Sequence, residues 1–407
     1  MRANPITTAP EAQPSAAPAV LLAAFVIILA VTTGMNALAS SPLNDVSGGA
    51  LDTSTEDIRI GPDATPILKG EAEDEDPKED FVIVPIPGAN PTIGAYLSVG
   101  AAYFYSLDEG SEASYTGAGV FKSVNGSGGW GVLQSVSWLD DRLRANAAFG
   151  RVDLRYDLYG LGADAGSDGL KLPIDQLAYA ATGDVAYGLT EQVYLGVKGR
   201  YLESDLSFDL GTAIGIPGLP PLNLNVTSAV LGPTFEIDAR DNKFSPREGY
   251  RVQGEVLFSI AQSVNQYSFQ RTQLSANYYL PVFTEDSVAF RAAGCNFGGS
   301  GPFFEMCLLG AEDGLRGYPV GQYIDSALVS LQAEYRGRIN DSWGYVGFAG
   351  VGVVAPQFSG LIDREPLPSA GAGIRYRVSE KNDLDLSLDV SVSKADTAVY
   401  LYVGQSF

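Results

Sequence analysis

The chain has 407 residues, 45% of them hydrophobic, with 47 Gly, 21 Tyr and 18 Phe, a composition that suits a large aromatic-rich sheet closed into a barrel. A formal charge of -22 with no clustered Lys or Arg argues against nucleic acid as a partner. Histidine is absent, which removes Ser-His and Cys-His nucleophile pairs, His zinc sites and every His general base, so no catalytic residue is assigned and the chain is not read as an enzyme.

In chain order, residues 19–31 form an uninterrupted apolar run, preceded by Arg2 and a Pro/Ala-rich leader. That is the length of a signal h-region and falls short of the roughly 20 residues a spanning helix needs. Ala37-Leu38-Ala39 supplies a small-residue cleavage pattern, so residues 1–39 are expected to be a signal peptide. Extending the run through Thr32, Thr33 and Met35 gives the alternative, an uncleaved anchor. Residues 40–80 are rich in Pro, Gly, Ser and Thr and close on an acidic run from Glu71 to Asp80, too polar and too like-charged to fold. A disordered acidic tail is expected there, its carboxylates solvated rather than metal-bound.

From Phe81 to Phe407 the period changes to two. In residues 383–393, Leu384, Leu386, Leu388, Val390 and Val392 share one face, and Asp383, Asp385, Asp389 and three serines share the other. The same alternation runs through 326–336, 370–378 and 249–259. An antiparallel sandwich would also alternate, but the signal-like start and segments at or above the ~9–11 residues that cross a tilted bilayer favour a membrane barrel. Sixteen segments are counted, from 81–87 through 324–338 to 398–407, an even number that places both ends of residues 81–407 on the periplasmic side of a bacterial outer membrane. The first, with Pro85 and Pro87, is confined to an edge or seam. Links at 140–142 and 284–286 suit periplasmic turns, while 159–173, 212–223 and 299–323 suit external loops.

Residues 309–325 carry four glycines and a proline, which exclude a helix or central strand, yet they hold Arg316 between Leu315 and Gly317-Tyr318. An arginine so placed needs a carboxylate. Cys295 and Cys307 are twelve apart across a Gly/Pro-rich segment, and an exported protein passes through an oxidising compartment, so a disulfide is expected. Two unpaired thiols buried in strand packing is the competing reading. The glycine clusters 347–352 and 371–373 lie within strands with no following helix, so they read as close packing, and no cofactor is assigned. Ser300 has no nucleophile-elbow pattern around it. The inward face is expected to include Arg251, Gln253, Glu255, Arg271, Gln273, Glu334, Arg336, Arg375 and Arg377 beside Asp383, Asp385 and Asp389, a mixed lining that suits water.

Three of these stretches carry a resemblance. Asp238-Ala-Arg240-Asp241 with Pro246 and Gly249 at a periplasmic turn, Leu315-Arg316-Gly317-Tyr318 in the sixth external loop, and the terminal Phe407 resemble the superfamily of outer-membrane assembly and translocation barrels that includes BamA, TamA and the two-partner secretion transporters, also called the bacterial surface antigen family. The resemblance covers residues 81–407 and is strongest from Asp238 onward. It implies a loop folded into the lumen, its arginine paired with acidic groups on the strands that follow. Glu334 occupies the family's glutamate position; the next strand should supply an aspartate, but Gly350 stands there, so one carboxylate is expected to carry more of the pairing. Phe407 would be the C-terminal assembly signal. The 41 residues from 40 to 80 are too few and too polar for a periplasmic POTRA domain, so a short member without one is expected. The implied function is protein insertion or translocation, or lipid handling. Its implied partners are outer-membrane lipid, the assembly machinery that inserts the barrel, and a separately encoded periplasmic protein. A passive diffusion pore or a structural outer-membrane protein is the alternative.

Overall fold

Between Leu384 and Ser393 the buried side chains are the polar ones. Asp385, Ser387, Asp389 and Ser391 have at most 1% of their surface exposed, while Leu388, Val390 and Val392 are 38%, 44% and 58% exposed. A sheet with its apolar face outward is stable only where the surroundings are hydrocarbon, and its backbone groups must then be paired around a closed ring. The computed structural model has that ring. It describes residues 79–407 apart from 109, 170, 215–218, 244, 261–266, 284, 312–313, 380–383 and 395. The expected signal peptide, nearly all of the expected acidic tail, and Asp383 lie outside the described residues.

The strands are β1 Glu79–Asn90, β2 Gly94–Tyr105, β3 Ser114–Ser123, β4 Gly128–Trp138, β5 Leu143–Leu158, β6 Leu172–Gly188, β7 Val193–Phe208 and β8 Leu222–Asp238. They continue as β9 Gly249–Ser259, β10 Ser268–Pro281, β11 Ser287–Ser300, β12 Ala327–Arg338, β13 Trp343–Ala355, β14 Leu367–Ser379, β15 Leu384–Ser393 and β16 Thr397–Val403. Each pairs antiparallel with the next, and β16 returns to β1 to close a transmembrane barrel. Exposed Trp138, Tyr187, Tyr250, Tyr278, Tyr345 and Tyr376 all sit at strand ends opposite the long 301–326 loop, an aromatic girdle of the kind that marks a lipid–water interface.

The alternation placed most strand limits to within two or three residues, and two expectations are corrected. Residues 324–325 do not begin β12; Ile324 and Asp325 pair with Leu308 and Cys307 in a two-residue ribbon inside the loop. The last strand ends at Val403, not at Phe407. Gly404, at φ 94°, turns the chain inward, and residues 404–407 are buried. Extension would have put Gln405, which has the parity of Val399 and Leu401, on the lipid face.

Two features position the site. β5 to β8 are 16 or 17 residues long against 10 to 12 in β1 to β4, so the strands of this wall run roughly 17 Å longer at ~3.4 Å per residue and the wall stands taller. The upper inner face of this wall is apolar: Leu154, Leu158, Ile174, Leu202, Leu206, Phe208 and Val226 join Phe304, Leu308, Val320 and Ile324 of the long loop in one buried cluster. The second feature is the closure. Among the described residues β1 meets β16 in register only at Ala89 and Leu401, whereas β15 and β16 pair from Leu386–Val403 to Val392–Thr397. Pro85 and Pro87 have the same parity and therefore remove donors from one edge of β1, as suits a strand beside a seam.

Candidate functional site

The loop between β11 and β12 passes across the lumen and is tied down at two places by charges of opposite sign. Arg316, 1% exposed, places Nη2 2.5 Å from Glu334 Oε2 on β12 and Nη1 2.5 Å from Asp389 Oδ2 on β15, with its guanidinium 3.5 Å from the centre of the Phe348 ring. A planar cation with five donors in a rigid fork meets the two carboxylates through separate nitrogens, a geometry that the point charge of a lysine does not reproduce. The expectation that Gly350 leaves one carboxylate to carry the pairing is corrected: Asp389, three strands beyond Glu334, supplies the second. Asp389 is itself held by Arg375 Nη1 at 2.5 Å and by the Tyr402 hydroxyl at 2.6 Å.

The rest of the motif fixes the backbone. Gly317, at φ 116°, donates its N–H to the Tyr400 hydroxyl at 2.6 Å and accepts at its carbonyl from Ser393 Oγ at 2.8 Å. The Tyr318 hydroxyl donates to the carbonyl of Pro368 at 2.7 Å, and Leu315 is fully buried. The glycines of the facing strands make the room. A Cβ at Gly350 would lie 2.6 Å from Leu315 Cδ1, one at Gly352 2.3 Å from Leu309 Cδ1, and one at Gly371 2.4 Å from Phe348 Cζ. The cluster read from sequence as close packing is thus the floor on which the loop's two leucines rest.

The second tie was not singled out in the sequence. Glu305, fully buried, pairs with Arg200 of β7 and accepts from Ser228 Oγ of β8 at 2.6 Å. β7 and β15 lie eight strands apart in a ring of sixteen, so the loop is held from opposite walls. The signal was the one that exposed Arg316: a charge enclosed by apolar neighbours, here Phe303-Phe304-Glu305-Met306. Near the same point Cys295 of β11 and Cys307 are disulfide-bonded, with Cα atoms 5.7 Å apart.

Below Arg316 the chain end joins the network. Arg336 Nε lies 2.8 Å from Glu334 Oε1, and its Nη2 donates to the terminal Phe407 oxygen. Gln405 bridges Arg375 Nε at 3.1 Å and Asp385 Oδ2 at 2.8 Å. Phe407 packs against Tyr279 and Ala289 on the inner wall. The Asp238 motif forms a local clamp in the β8–β9 turn: Arg240 Nη2 is 2.9 Å from Asp238 Oδ2, and Asp241 Oδ1 accepts the N–H groups of Arg247 and Glu248. Pro246 accepts from Arg336 Nη1 at 3.4 Å, and Gly249, at φ 103°, begins β9. Apart from Asp383, which is outside the described residues, the expected polar lining faces inward but is extensively cross-paired, with Glu255 between Lys198 at 3.1 Å and Arg271 at 3.6 Å, and Arg251 2.8 Å from Glu236.

These features define a class: a sixteen-stranded transmembrane barrel whose longest loop is anchored to its own inner wall. Within it, residues 223–396 match the Omp85 superfamily domain, which bears out the resemblance drawn from the motifs. Among solved structures, BamA from Haemophilus ducreyi lacking POTRA domains 1–3 is similar at 12% identity and a TM-score of 0.57, over 81% of this chain and 70% of that one. CdiB from Escherichia coli is similar at 12% identity and a TM-score of 0.52, over 82% and 63%. CdiB from Acinetobacter baumannii is similar at 10% identity and a TM-score of 0.50, over 80% and 59%. At these identities the likeness is one of fold. No curated protein sequence matches the chain.

Proposed function

We propose that this chain is a bacterial outer-membrane barrel that inserts or translocates polypeptide, or handles lipid, and whose lumen is closed at rest by the 301–326 loop. The observation that carries this is the two-ended anchorage of the loop, Arg316 on Glu334 and Asp389, Glu305 on Arg200 and Ser228. A diffusion pore gains nothing from such a plug, whereas a barrel that opens on demand needs one held by contacts that can be exchanged. The likeness to BamA and CdiB supports the same direction at the level of fold.

The long loop is assigned to the outside and the aromatic girdle at the other end to the periplasmic interface. The apolar run at 19–31 supports export, and Phe407 would be read by the machinery that inserts the barrel. A separately encoded periplasmic protein would deliver the cargo. Planar-bilayer recording tests the reading. Small, flickering conductance is expected of the intact protein, increased by deleting residues 310–322 or by Arg316→Ala. Large, steady conductance unaffected by either change would replace this function with a diffusion pore.

A further inference from the structure

At the end opposite the long loop, neighbouring strands are joined by short links at 139–142, 189–192, 282–286 and 339–342, whereas 106–113 and 239–248 are longer. Two residues suffice to join antiparallel neighbours, so most of 239–248 is not needed for its hairpin. The two long links meet: Lys243 Nζ lies 2.6 Å from Glu112 Oε1. On its other flank the 239–248 link reaches the inner wall. There Pro246 accepts from Arg336 of β12, and Ser245 and Arg247 face the same cavity as Ser287 of β11 and Arg375 of β14. In the ring of sixteen, five strand steps separate β3 from β8, three separate β9 from β12, and six lead from β12 round to β2. A segment rooted at β8–β9 and supported from both of those sides crosses the mouth of the lumen instead of following its rim.

The described residues of this link are braced on one another. Asp241 Oδ1 accepts the N–H groups of Arg247 and Glu248, Asn242 Oδ1 accepts that of Ser245 at 3.1 Å, and Arg240 Nη1 donates to the Lys243 carbonyl at 3.1 Å. The link is therefore built to swing as a unit about its junction with β9, where Gly249 has a φ of 103°. Its seat is less secure. Glu112 belongs to a link propped on the β4–β5 turn: Leu139 N–H donates to Asp108 Oδ2 at 2.7 Å, Asp141 N–H to Ser111 Oγ at 3.0 Å, and Glu112 N–H to Asp141 Oδ1 at 2.7 Å. Leu139, Asp140 and Asp141 have φ of 59°, 54° and 60°, a left-handed run that L residues hold only under the constraint of such contacts. The Lys243 and Glu112 side chains are 25% and 29% exposed, so their pair is weak and easily exchanged. We propose that 239–248 is a flap across this mouth of the lumen, latched by Lys243 on Glu112 and biased toward release by the left-handed turn beneath the latch. The barrel then has two closures in series, the long loop at one end and the flap at the other. The flap does not depend on what the barrel transports.

The test is the reactivity of a thiol beneath the flap. Ser287→Cys places one in that cavity, in a chain whose native cysteines are bonded to each other. In the folded, full-length protein at low salt, a water-soluble maleimide should label this thiol about tenfold faster once Lys243→Glu turns the latch from attraction to repulsion, because labelling follows the open population. Exchanging the charges, Lys243→Glu/Glu112→Lys, should restore the slow rate. Leu139→Gly, which relieves the left-handed turn at a half-exposed side chain, should slow labelling about threefold. Arg316→Ala, which acts at the other end, should speed labelling less than Lys243→Glu does, so failure of the flap and failure of the loop reading are told apart. Heat-modifiable gel mobility certifies a folded barrel in each case. Equal labelling with and without Lys243→Glu, no recovery on charge exchange, or a rate governed by Arg316→Ala instead overturns the proposal, and no slowing in Leu139→Gly refutes the bias toward release.

Discussion

Arg316 is buried between two carboxylates that each keep a second cation, Arg336 for Glu334 and Arg375 for Asp389. Removing the arginine therefore leaves neither carboxylate bare, and the loss should sit at the low end of the range for broken buried pairs, about 3 kcal/mol. Arg316→Lys should recover only part of it, since an ammonium lacks the planar fork that meets each wall through its own nitrogen. Glu334→Gln and Asp389→Asn should loosen the loop to a similar degree. Limited proteolysis near Gly314 of folded protein measures this; a loop as resistant in Arg316→Ala as in wild type would remove the anchor from the account. Glu305→Gln should add to Arg316→Ala rather than duplicate it, because the two ties share no partner. At this scale the sequence exposed one end of the tie and hid the other. Arg316 and Glu334 were readable from a motif and an alternation; Asp389 lay in plain alternation on an inward face, but nothing local says which inward carboxylate a distant loop will reach.

The loop as an element is held by covalent, apolar and polar contacts together. The Cys295–Cys307 bond closes a short loop, and its reduction should cost about 2–3 kcal/mol of docking on the chain-entropy model. Mass spectrometry after alkylation without reductant checks the bond directly: two freely alkylated cysteines in folded protein would refute it. The glycine floor gives a sterically sharper test. Gly352→Ala would bring a methyl to 2.3 Å from Leu309 Cδ1, and an overpacking cost of about 1–3 kcal/mol should appear as a loosened loop in an otherwise intact barrel. Gly347→Ala, where no described atom lies within 4 Å of the added carbon, is the control. Strands were legible because lipid outside and polar contacts inside make the period of two nearly strict. The inward turn at Gly404 was not, because Phe407 ends the chain with the right residue for a strand; the contrary sign was Gln405 at a lipid-facing parity.

For the whole molecule the unequal wall heights matter most. The tall β5–β8 wall and the loop enclose an apolar cluster at one end, while the lumen beneath is crossed by ion pairs. Such a barrel should conduct poorly at rest, and opening should require the apolar cluster and the Arg316 ties to part together. Phe208→Ala, in the apolar cluster but on β7 and remote from Arg316, should therefore raise conductance partway. A variant as tight as wild type would place the whole barrier at the charged ties.

The glycine floor also bears on inheritance. Leu309 and Leu315 fit because β13 lacks side chains at 350 and 352, and Phe348 fits because β14 lacks one at 371. Grafted alone into another sixteen-stranded barrel, the loop would collide with whatever side chains stood at those sites. The loop and the two strands beneath it form a single heritable joint, and a working chimera should require all three to be exchanged at once.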